Sequence, residues 1–331
     1  RYRSSAASDV YKRQIMISKR KSFIAGLKST KLSNNEILFL KKHKPWGIIL
    51  FTRNIKSFDQ VKKLTLSIRK IFKDNKYPIM IDQEGGRVNR LRDLISFDNM
   101  TSEYFGDLFN KDKKKFEIVY KLFVDKTSYL LNLIGVNINT VPVLDLRVNG
   151  ASKVIGDRSY SKNKKIVSKL GDICIKLFQN NSIGTVMKHI PGHGLAKVDS
   201  HYSTPIINKT REYLLKNDFW TFKNKKCLFA MTGHLIYSKI DKNNTATHSK
   251  KIINIIRKNI GFKNILISDD LSMKSLSDDL KLNTINLFSA GCNLALHCNG
   301  NMKEMKIVAE NSPQVNSFVV KKTSQFYKIL S

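Results

Sequence analysis

Short apolar runs alternate with longer amphipathic segments along most of this chain. Residues 58–72 illustrate the second kind, because Val61, Leu64 and Ile68 recur at helical steps and therefore share one face. Eight apolar runs rich in β-branched residues are predicted to be strands, at residues 22–27, 46–51, 77–82, 136–145, 184–190, 227–233, 264–270 and 293–298. Helices are predicted between them, among others over residues 58–72, 115–133, 164–180, 249–260 and 302–310.

This alternation predicts an α/β fold, specifically a single-domain (β/α)8 TIM barrel. The alternative is an open, doubly wound sheet, which would require a glycine-rich turn after the first strand. That strand instead continues into LKSTKLSNNE, without a GxGxxG pattern. A barrel needs roughly 250 residues, and the 331-residue chain provides them. We therefore predict one barrel domain over residues 15–331.

Residues 1–14 differ in composition from the rest of the chain. They are rich in Ser, Ala and Arg, whereas the following sequence is rich in Lys, Ile and Asn. They lack the apolar core of a secretory signal, and the apolar stretch at residues 22–27 is too short to supply one. We interpret residues 1–14 as a linker-like segment that is not native to the protein.

The cysteines predict a reducing compartment, and the missing secretory signal adds the expectation of a cytoplasmic location. None of the four cysteines belongs to a CxxC pair, and Cys174 and Cys227 lie in apolar stretches typical of core thiols. No apolar run approaches the ~20 residues that span a bilayer, so we expect no membrane association.

The charge balance is strongly basic, with 59 Lys and Arg residues against 26 Asp and Glu residues and a net charge of +33. Such a charge can mark an anionic partner such as nucleic acid. Here the basic residues are mostly Lys, spread along the chain, and they accompany abundant Asn and Ile. Nucleic-acid-binding proteins more often show Arg clusters with interleaved aromatic residues. The pattern favours compositional drift in an AT-rich genome, and we expect no nucleic-acid partner.

Residues that can carry chemistry follow the predicted strands, which is where barrel enzymes place their active sites. The third strand ends at Asp82, and QEGGRVNRLR comes next. Asp82 could accept a hydrogen bond from a substrate hydroxyl, and Arg90 could supply a charged donor. A helix cap with a salt bridge is equally compatible with the spacing. Arg158, in the loop after the fourth strand, could also orient a polar substrate or be a solvated surface charge.

The fifth strand leads into a loop rich in histidine. Lys188 and His189 end the strand, and His193, Asp199 and His201 follow in the loop. One hypothesis is an acid/base pair in which Asp199 orients His201. A second is a metal-dependent hydrolase in which the three histidines and the aspartate are ligands. The third hypothesis is a hydrogen-bonded structural loop with neither a catalytic nor a metal-binding role.

The seventh strand delivers Asp269 and Asp270 to the same end of the barrel. Successive strand residues point to opposite faces, so one carboxylate can face a pocket as a nucleophile while the other caps the next helix. Asp145 and His234, at the ends of the fourth and sixth strands, and Met273 are further candidates for the pocket rim.

Five motifs carry a resemblance to a known family. IDQEGGRVNRLR, GDRSY, KHIPGHG, DSHYSTP and ISDDLSM occur in the order and spacing of glycoside hydrolase family 3. More narrowly, they resemble its single-domain bacterial β-N-acetylglucosaminidases of peptidoglycan recycling, and the WGIILFTRN segment is similar too. The resemblance covers the chain from about residue 22 to the C-terminus. Asp157, Ile190 and Gly233 stand where the family usually has Glu, Phe and Ala.

The resemblance implies a role for each matching position. Asp269 would be the nucleophile, and His201, paired with Asp199, would be the acid/base. The sugar-binding positions of the family fall on Asp82, Arg90, Arg158, Lys188 and His189.

These roles imply a retaining exo-β-N-acetylglucosaminidase with a covalent glycosyl-aspartate intermediate. The expected partner is a small amino-sugar glycoside, GlcNAc–anhydro-muramic acid or its peptides, and we expect a monomer without cofactor or metal. An uncharged or cationic acid/base also admits phosphate as acceptor, so a β-N-acetylglucosaminide phosphorylase stays an alternative. Gly192 and Gly194 predict a mobile loop that closes on substrate.

Overall fold

The computed structural model of the protein describes residues 11–200, 203–276 and 279–330. Its strands are β1 (Lys21–Gly26), β2 (Pro45–Leu50), β3 (Ile79–Ile81), β4 (Ile138–Asn139), β5 (Gly184–Ile190), β6 (Ile206–Ile207), β7 (Phe229–Thr232), β8 (Ile236–Tyr237), β9 (Ile265–Asp270) and β10 (Leu294–His297). Eight of them close into a barrel in the order β1-β10-β9-β7-β5-β4-β3-β2, and β6 pairs with β8 beside it. The barrel pairs are parallel, so the predicted (β/α)8 fold is confirmed.

Helices connect the strands and form the outer layer. They are α1 (Asn34–His43), α2 (Phe58–Phe72), α3 (Ser102–Lys111), α4 (Lys113–Leu133), α5 (Lys164–Asn180), α6 (Arg211–Lys216), α7 (Lys250–Ile255), α8 (Leu280–Ala290), α9 (Met302–Asn311) and α10 (Ser317–Ile329). Short 3₁₀ turns occur at Thr52–Asn54, Gly156–Arg158 and Asp218–Phe222, a π-helical turn at Ile256–Ile260 extends α7, and residues 11–18 are helical. Across the described ranges, every helix is too short or too polar to cross a bilayer.

Local sequence signals account for most of these boundaries. Helix α1, for example, begins with a capping box, in which Ser33 accepts from the Glu36 amide and the Glu36 carboxylate accepts from Ser33. The bounds of α2, α5 and β5 agree with the sequence prediction. The fourth strand was predicted over residues 136–145, but the barrel strand is only Ile138–Asn139. The ladder is interrupted beyond Asn139, Pro142 has no amide hydrogen to donate, and the chain pairs with β5 again at an isolated bridge between Val143 and Lys188.

The amino-terminal end of the barrel, called the base here, is filled by aromatic side chains. Helix α10 crosses it, and the Phe326 ring packs edge-on against Phe229 with the centroids 5.4 Å apart. The Trp46 indole donates a 2.8 Å hydrogen bond to the Thr323 hydroxyl. A side chain at Gly184 would place its Cβ 2.7 Å from the Phe326 ring, so the absence of a side chain there permits this packing. The base is therefore closed.

A buried ion pair lies beside these aromatic residues. The Arg20 guanidinium, directly before β1, contacts the Asp74 carboxylate, and both side chains are almost fully buried. The Tyr327 hydroxyl donates to the same carboxylate at 2.6 Å. Arg20 also lies over the Tyr77 ring, 4.6 Å from its centroid. The charged groups at the base thus have their partners within the protein.

Candidate active site

A cavity of about 290 Å³ opens at the carboxyl ends of the barrel strands, called the mouth here. Ile49, Met231 and Leu296 line it from three different strands. The remaining lining is mostly polar and consists of Phe51, Asp82, Glu84, Arg87, Val88, Arg90, Val154, Ile155, Arg158, Lys188, His189, His193, Asp199, Ser200, Asp269, Asp270, Met273 and Cys298. The volume lies near the lower end for small-molecule sites, which suits a ligand of monosaccharide size.

Lys188 links two carboxylates on one side of the cavity. It lies in β5, and its side chain is only 3% exposed. Its ammonium donates to Asp82 Oδ1 at 3.0 Å and contacts Glu84 Oε1 at 2.7 Å. A third bond, of 2.9 Å, goes to the Thr140 hydroxyl at the end of β4. One buried cation in β5 therefore fixes side chains from the ends of the two strands before it, β3 and β4.

Two arginines complete this cluster. Arg158 binds Glu84 through two bonds of 2.8 Å each, and Arg90 donates to Asp82 Oδ2 at 3.1 Å. Burial raises the pKa of Glu84, but Arg158 and Lys188 outweigh it and hold that pKa at about 2. Burial also opposes ionisation of Asp82, yet Lys188 and Arg90 keep its pKa well below the usual range. Both carboxylates are therefore ionised acceptors with fixed orientation.

Phe51 forms an apolar wall beside the cluster. The Arg53 and Arg90 guanidinium groups lie 4.8 Å and 5.2 Å from the centroid of its ring. Arg53 donates to the Leu27 carbonyl at 2.8 Å. These contacts hold the Arg90 plane in place through cation–π attraction. Phe51 was not predicted as a site residue, although it directly follows β2.

Asp145 organises the start of the histidine-rich loop from beneath the cavity. Its Oδ2 accepts from His189 Nδ1 at 2.6 Å, and its Oδ1 accepts from the His193 amide at 2.6 Å. Burial is the largest single influence and would raise the pKa of Asp145, but the interactions with His189 and His193 together hold that pKa below its usual value. Asp145 was a candidate for the rim, but it does not line the cavity in the described part of the chain and instead orients His189.

His193 is a buried histidine that the sequence analysis considered only as a metal ligand. Its Nε2 lies 3.3 Å from the Ser200 hydroxyl, and its Nδ1 has no hydrogen-bond partner among the described residues. Burial, aided by the neighbouring His189, lowers its pKa to about 4. His193 is therefore neutral near pH 7 and connects the strand end to the loop that carries Ser200.

The two neighbouring aspartates at the end of β9 have different surroundings. Asp270 accepts from the Ser272 hydroxyl at 2.6 Å and from the Ser272 and Cys298 amides at 3.1 Å and 3.0 Å. Asp269 accepts from the Asp270 amide at 2.9 Å and also lines the cavity. The expectation that one of the pair caps the next helix is not met by Asp270, because α8 begins at Leu280 and Asp279 caps it. Asp270 instead orders the turn after β9. The Asp269 carboxylate, with the Asp270 amide on its Oδ1, faces the cavity.

His234 differs from its expected position at the rim, whereas Met273 does line the cavity. His234 is fully buried, with Nδ1 2.8 Å from the Thr247 hydroxyl and Nε2 3.0 Å from the Asp270 carbonyl. Burial lowers its pKa. It supports the backbone of β9 from behind, and it is not among the described residues that line the cavity.

The loop after β5 brings Asp199 and Ser200 to the cavity. His201, the predicted acid/base, lies outside the described residues. The glycines of this loop have packing roles: a Cβ at Gly192 would lie 2.9 Å from the Asp218 Cβ, and one at Gly194 would lie 2.2 Å from the Leu146 carbonyl oxygen. Their predicted function as hinges stays a prediction.

Gly233 also has a packing role. It stands where the family usually has Ala, and a Cβ there would lie 3.1 Å from His193 Cδ2 and 2.8 Å from Leu235 Cδ2. The missing methyl group thus leaves room for the His193 ring.

Arg87 holds the loop between β4 and α5 against the cavity. Its guanidinium donates to Asp157 at 2.8 Å and to the Lys153, Val154 and Ile155 carbonyls at 2.7, 2.8 and 3.1 Å. Arg87 and Glu84 were not predicted as site residues. Both belong to the same strand-end run as Asp82, which was the available signal.

The hypothesis of a metal-dependent hydrolase is not supported by a preformed metal site in the part of the chain that the structure describes. Within residues 11–200, 203–276 and 279–330, no three His, Cys, Asp or Glu side chains are grouped so that they could hold a metal ion. His189 Nδ1 is already bound to Asp145. The proposed set also included His201, which lies outside these ranges.

Comparison with known proteins identifies the family. The profile described as "Glycosyl hydrolase family 3 N terminal domain" matches residues 16–322. A beta-hexosaminidase from Psychromonas ingrahamii is 32% identical over 291 residues, which cover 86% of this chain and 82% of that protein. A beta-hexosaminidase from Shewanella frigidimarina is 31% identical over 289 residues, with 84% and 82% covered.

Solved structures agree with this result. Crystalline NagZ from Neisseria gonorrhoeae, in complex with N-trifluoroacetyl-D-glucosamine, is 27% identical with a TM-score of 0.81, covering 93% of this chain and 89% of that one. The fold is shared with a family 3 β-N-acetylglucosaminidase from Paenibacillus sp., 24% identical with a TM-score of 0.82 over 96% of this chain and 61% of that one. The chain belongs to glycoside hydrolase family 3, in its group of single-domain bacterial β-hexosaminidases.

Proposed function

We propose that the protein is a retaining exo-β-N-acetylglucosaminidase that removes a terminal, non-reducing GlcNAc residue from a small glycoside. The observation that carries this proposal is the Asp269 carboxylate, which lines a cavity of sugar size beside two ionised acceptors, Asp82 and Glu84. The names of the relatives support it, since they are beta-hexosaminidases and one NagZ structure holds an N-acylated glucosamine.

In the proposed reaction, Asp269 attacks the anomeric carbon and the bond to the leaving oxygen breaks. His201, oriented by Asp199, gives its proton to that oxygen. Water then attacks the glycosyl-aspartate ester, gives its proton to His201 and releases the sugar with the original configuration. Asp270 is unsuited to the attack because both of its oxygens already accept hydrogen bonds.

The sugar hydroxyls would be bound by the polar wall of the cavity. Asp82 would accept hydrogen bonds, while Lys188 and Arg90 would donate them and keep Asp82 ionised. Arg158 and His189 would complete the set. Because these groups are fixed by one another before substrate arrives, little ordering is left to the binding step.

The finer biological setting belongs to the same proposal. We place the enzyme in the cytoplasm and in peptidoglycan recycling, acting on GlcNAc–anhydro-muramic acid or its peptides. All four cysteines are buried free thiols, which suits a reducing compartment. The amino-sugar substrate class follows the names of the relatives.

Turnover of p-nitrophenyl β-N-acetylglucosaminide tests the proposal. We expect Asp269→Ala to lose nearly all activity, and azide to restore turnover with formation of the α-glycosyl azide, because a small anion can occupy the place of the lost carboxylate. Asp270→Asn is the matched variant at the adjacent carboxylate and should lose less activity than Asp269→Ala. Inactive but folded wild type, or equal losses in the two variants, would contradict the assignment.

The same assay separates the alternatives. A rate that requires phosphate and yields GlcNAc 1-phosphate would identify a phosphorylase. Loss of activity on dialysis against a chelator, restored by a metal ion, would identify a metal-dependent hydrolase. Hydrolysis that is indifferent to both supports the proposal.

A further inference from the structure

The loop after β5 is anchored at its start by several contacts. The Asp145 carboxylate accepts a hydrogen bond from the His193 amide at 2.6 Å, and the Tyr237 hydroxyl donates to the Gly192 carbonyl at 2.5 Å. The Ala196 amide closes a turn by donating to the His193 carbonyl at 3.1 Å. The backbone of His193 is therefore a fixed point from which the rest of the loop extends.

The same loop passes over the surface before it returns to the cavity. Val198 is 43% exposed, whereas Ser200 is only 3% exposed and lines the cavity. The Ser200 hydroxyl lies 3.3 Å from His193 Nε2. This contact joins the fixed start of the loop to the residue that stands between Asp199 and His201 in the sequence.

The surroundings of the His193 ring hold it in the orientation that this contact needs. The ring centroid lies 5.5 Å from that of His189, and its Cδ2 occupies space that a Cβ at Gly233 would crowd. The ring is neutral near pH 7, so it carries its hydrogen on one nitrogen only. Nδ1 is buried without a partner among the described residues, whereas Nε2 has one. We therefore assign the hydrogen to Nε2, which donates it to Ser200 Oγ.

We propose that His193 is a positioning residue for proton transfer, acting through Ser200 on the Asp199–His201 pair. The inference rests on the proposed function and adds a residue to it. Fixing Ser200 restricts where its two neighbours can lie, and a displacement of about 1 Å can cost about 100-fold in rate. The sugar-binding groups are held separately by Lys188. Loss of the His193–Ser200 bond should therefore impair protonation of the leaving oxygen more than binding of the sugar.

Leaving groups that differ in their need for a proton test the proposal. 2,4-Dinitrophenolate leaves without protonation, whereas 4-methoxyphenolate depends on it. We expect His193→Leu to lower kcat/KM for 4-methoxyphenyl β-N-acetylglucosaminide about 100-fold and to leave kcat/KM for the 2,4-dinitrophenyl substrate nearly unchanged. The ratio kcat/KM is measured because it reports the transition state in which the leaving group departs.

Three further variants locate the effect in the bond to Ser200. Ser200→Ala should show the same dependence on the leaving group, and the double variant should be no worse than His193→Leu, because both changes remove one contact. His193→Gln should recover most of the lost rate, since its amide nitrogen can donate from a position close to that of Nε2. His43→Leu is the matched control, because His43 is buried on α1, away from the cavity, and should leave the ratio of the two substrates unchanged.

Thermal unfolding shows which variants are folded at the assay temperature. Equal losses for the two substrates in folded His193→Leu or Ser200→Ala, no loss in either variant, or losses that multiply in the double variant would overturn the positioning role. Asp269→Ala keeps this result separate from the proposed function, because loss of the nucleophile should lower turnover of both substrates. Folded wild type that hydrolyses neither substrate would overturn the proposed function, and the positioning role with it.

Discussion

The two ends of the barrel both bury an aspartate beside an arginine, yet the pairs have different surroundings. At the base, the Arg20–Asp74 pair is closed in by Tyr327 and Tyr77, next to aromatic packing that leaves the strand ends filled. At the mouth, Asp82 and its cations border a cavity of about 290 Å³. The difference shows that buried charge by itself does not mark a site, whereas buried charge beside open volume does.

The energetic consequence follows from the same comparison. Removing charged side chains from water costs free energy. In both clusters this cost is offset by several contacts among the charged groups themselves. The base uses its contacts to hold α10 against the barrel. The mouth uses them to hold ionised acceptors and cationic donors in position for another molecule. Substitutions at the base should therefore lower stability without lowering activity, whereas substitutions at the mouth should lower both.

The largest effect, counting stability and activity together, is expected for Lys188→Met, which removes the central cation of the mouth. Two buried carboxylates would lose a partner, so we expect a loss of stability of about 3 kcal/mol and about a 100-fold loss in kcat/KM. Denaturant unfolding and glycoside turnover measure the two effects. Unchanged kcat/KM in a destabilised protein would show that the mouth, like the base, is only a structural cluster.

The next effect is expected for Asp74→Asn at the base. The Arg20 guanidinium would keep its burial and lose its anion, which should cost about 3–5 kcal/mol in the free energy of unfolding. The kcat should not change at a temperature where the variant is folded. The exposed Lys121–Asp125 pair gives the control, since Lys121→Gln should cost less than about 1 kcal/mol. A loss of kcat in folded Asp74→Asn would remove the distinction between the ends.

A smaller effect, confined to acid, is expected for His193→Gln. The folded-state pKa of His193 is about 4 and its ordinary value is 6.5, so between these values the unfolded chain binds a proton that the folded chain excludes. Stability should therefore fall as the pH decreases from 6.5 to 4, by about 3 kcal/mol from this residue. Thermal unfolding at several pH values should show a shallower fall in the variant, and parallel curves would contradict this account.

The smallest effect is expected for Arg87→Ala. This guanidinium is 46% exposed and holds the loop between β4 and α5 through three carbonyls and Asp157. Its loss should raise KM several-fold, because the loop that lines the cavity is freed, with less than about 1 kcal/mol of stability lost. Steady-state kinetics with a folded-state control checks this, and an effect on kcat alone would argue against a positioning role.

Much of the fold was predictable because it depends on local patterns. Hydrophobic periodicity predicted α2, α5 and β5 to the residue, and β-rich runs predicted every barrel strand. The fourth strand was overestimated because its apolar run continues past Asn139, where the regular ladder gives way to an isolated bridge between Val143 and Lys188. Strand ends also placed Asp82, Lys188 and Asp269 at one mouth, since parallel strands share that end of a barrel.

By itself, the sequence determined the barrel, the end at which the site lies and the residue types that meet there, because these follow from periodicity and strand direction. Only the tertiary structure decided which side chains face the cavity. Asp145 and His234 are at strand ends and yet point behind it, while Phe51, Glu84 and Arg87 line it. These orientations depend on contacts between residues far apart in the chain, such as Glu84 with Arg158, which no local pattern encodes.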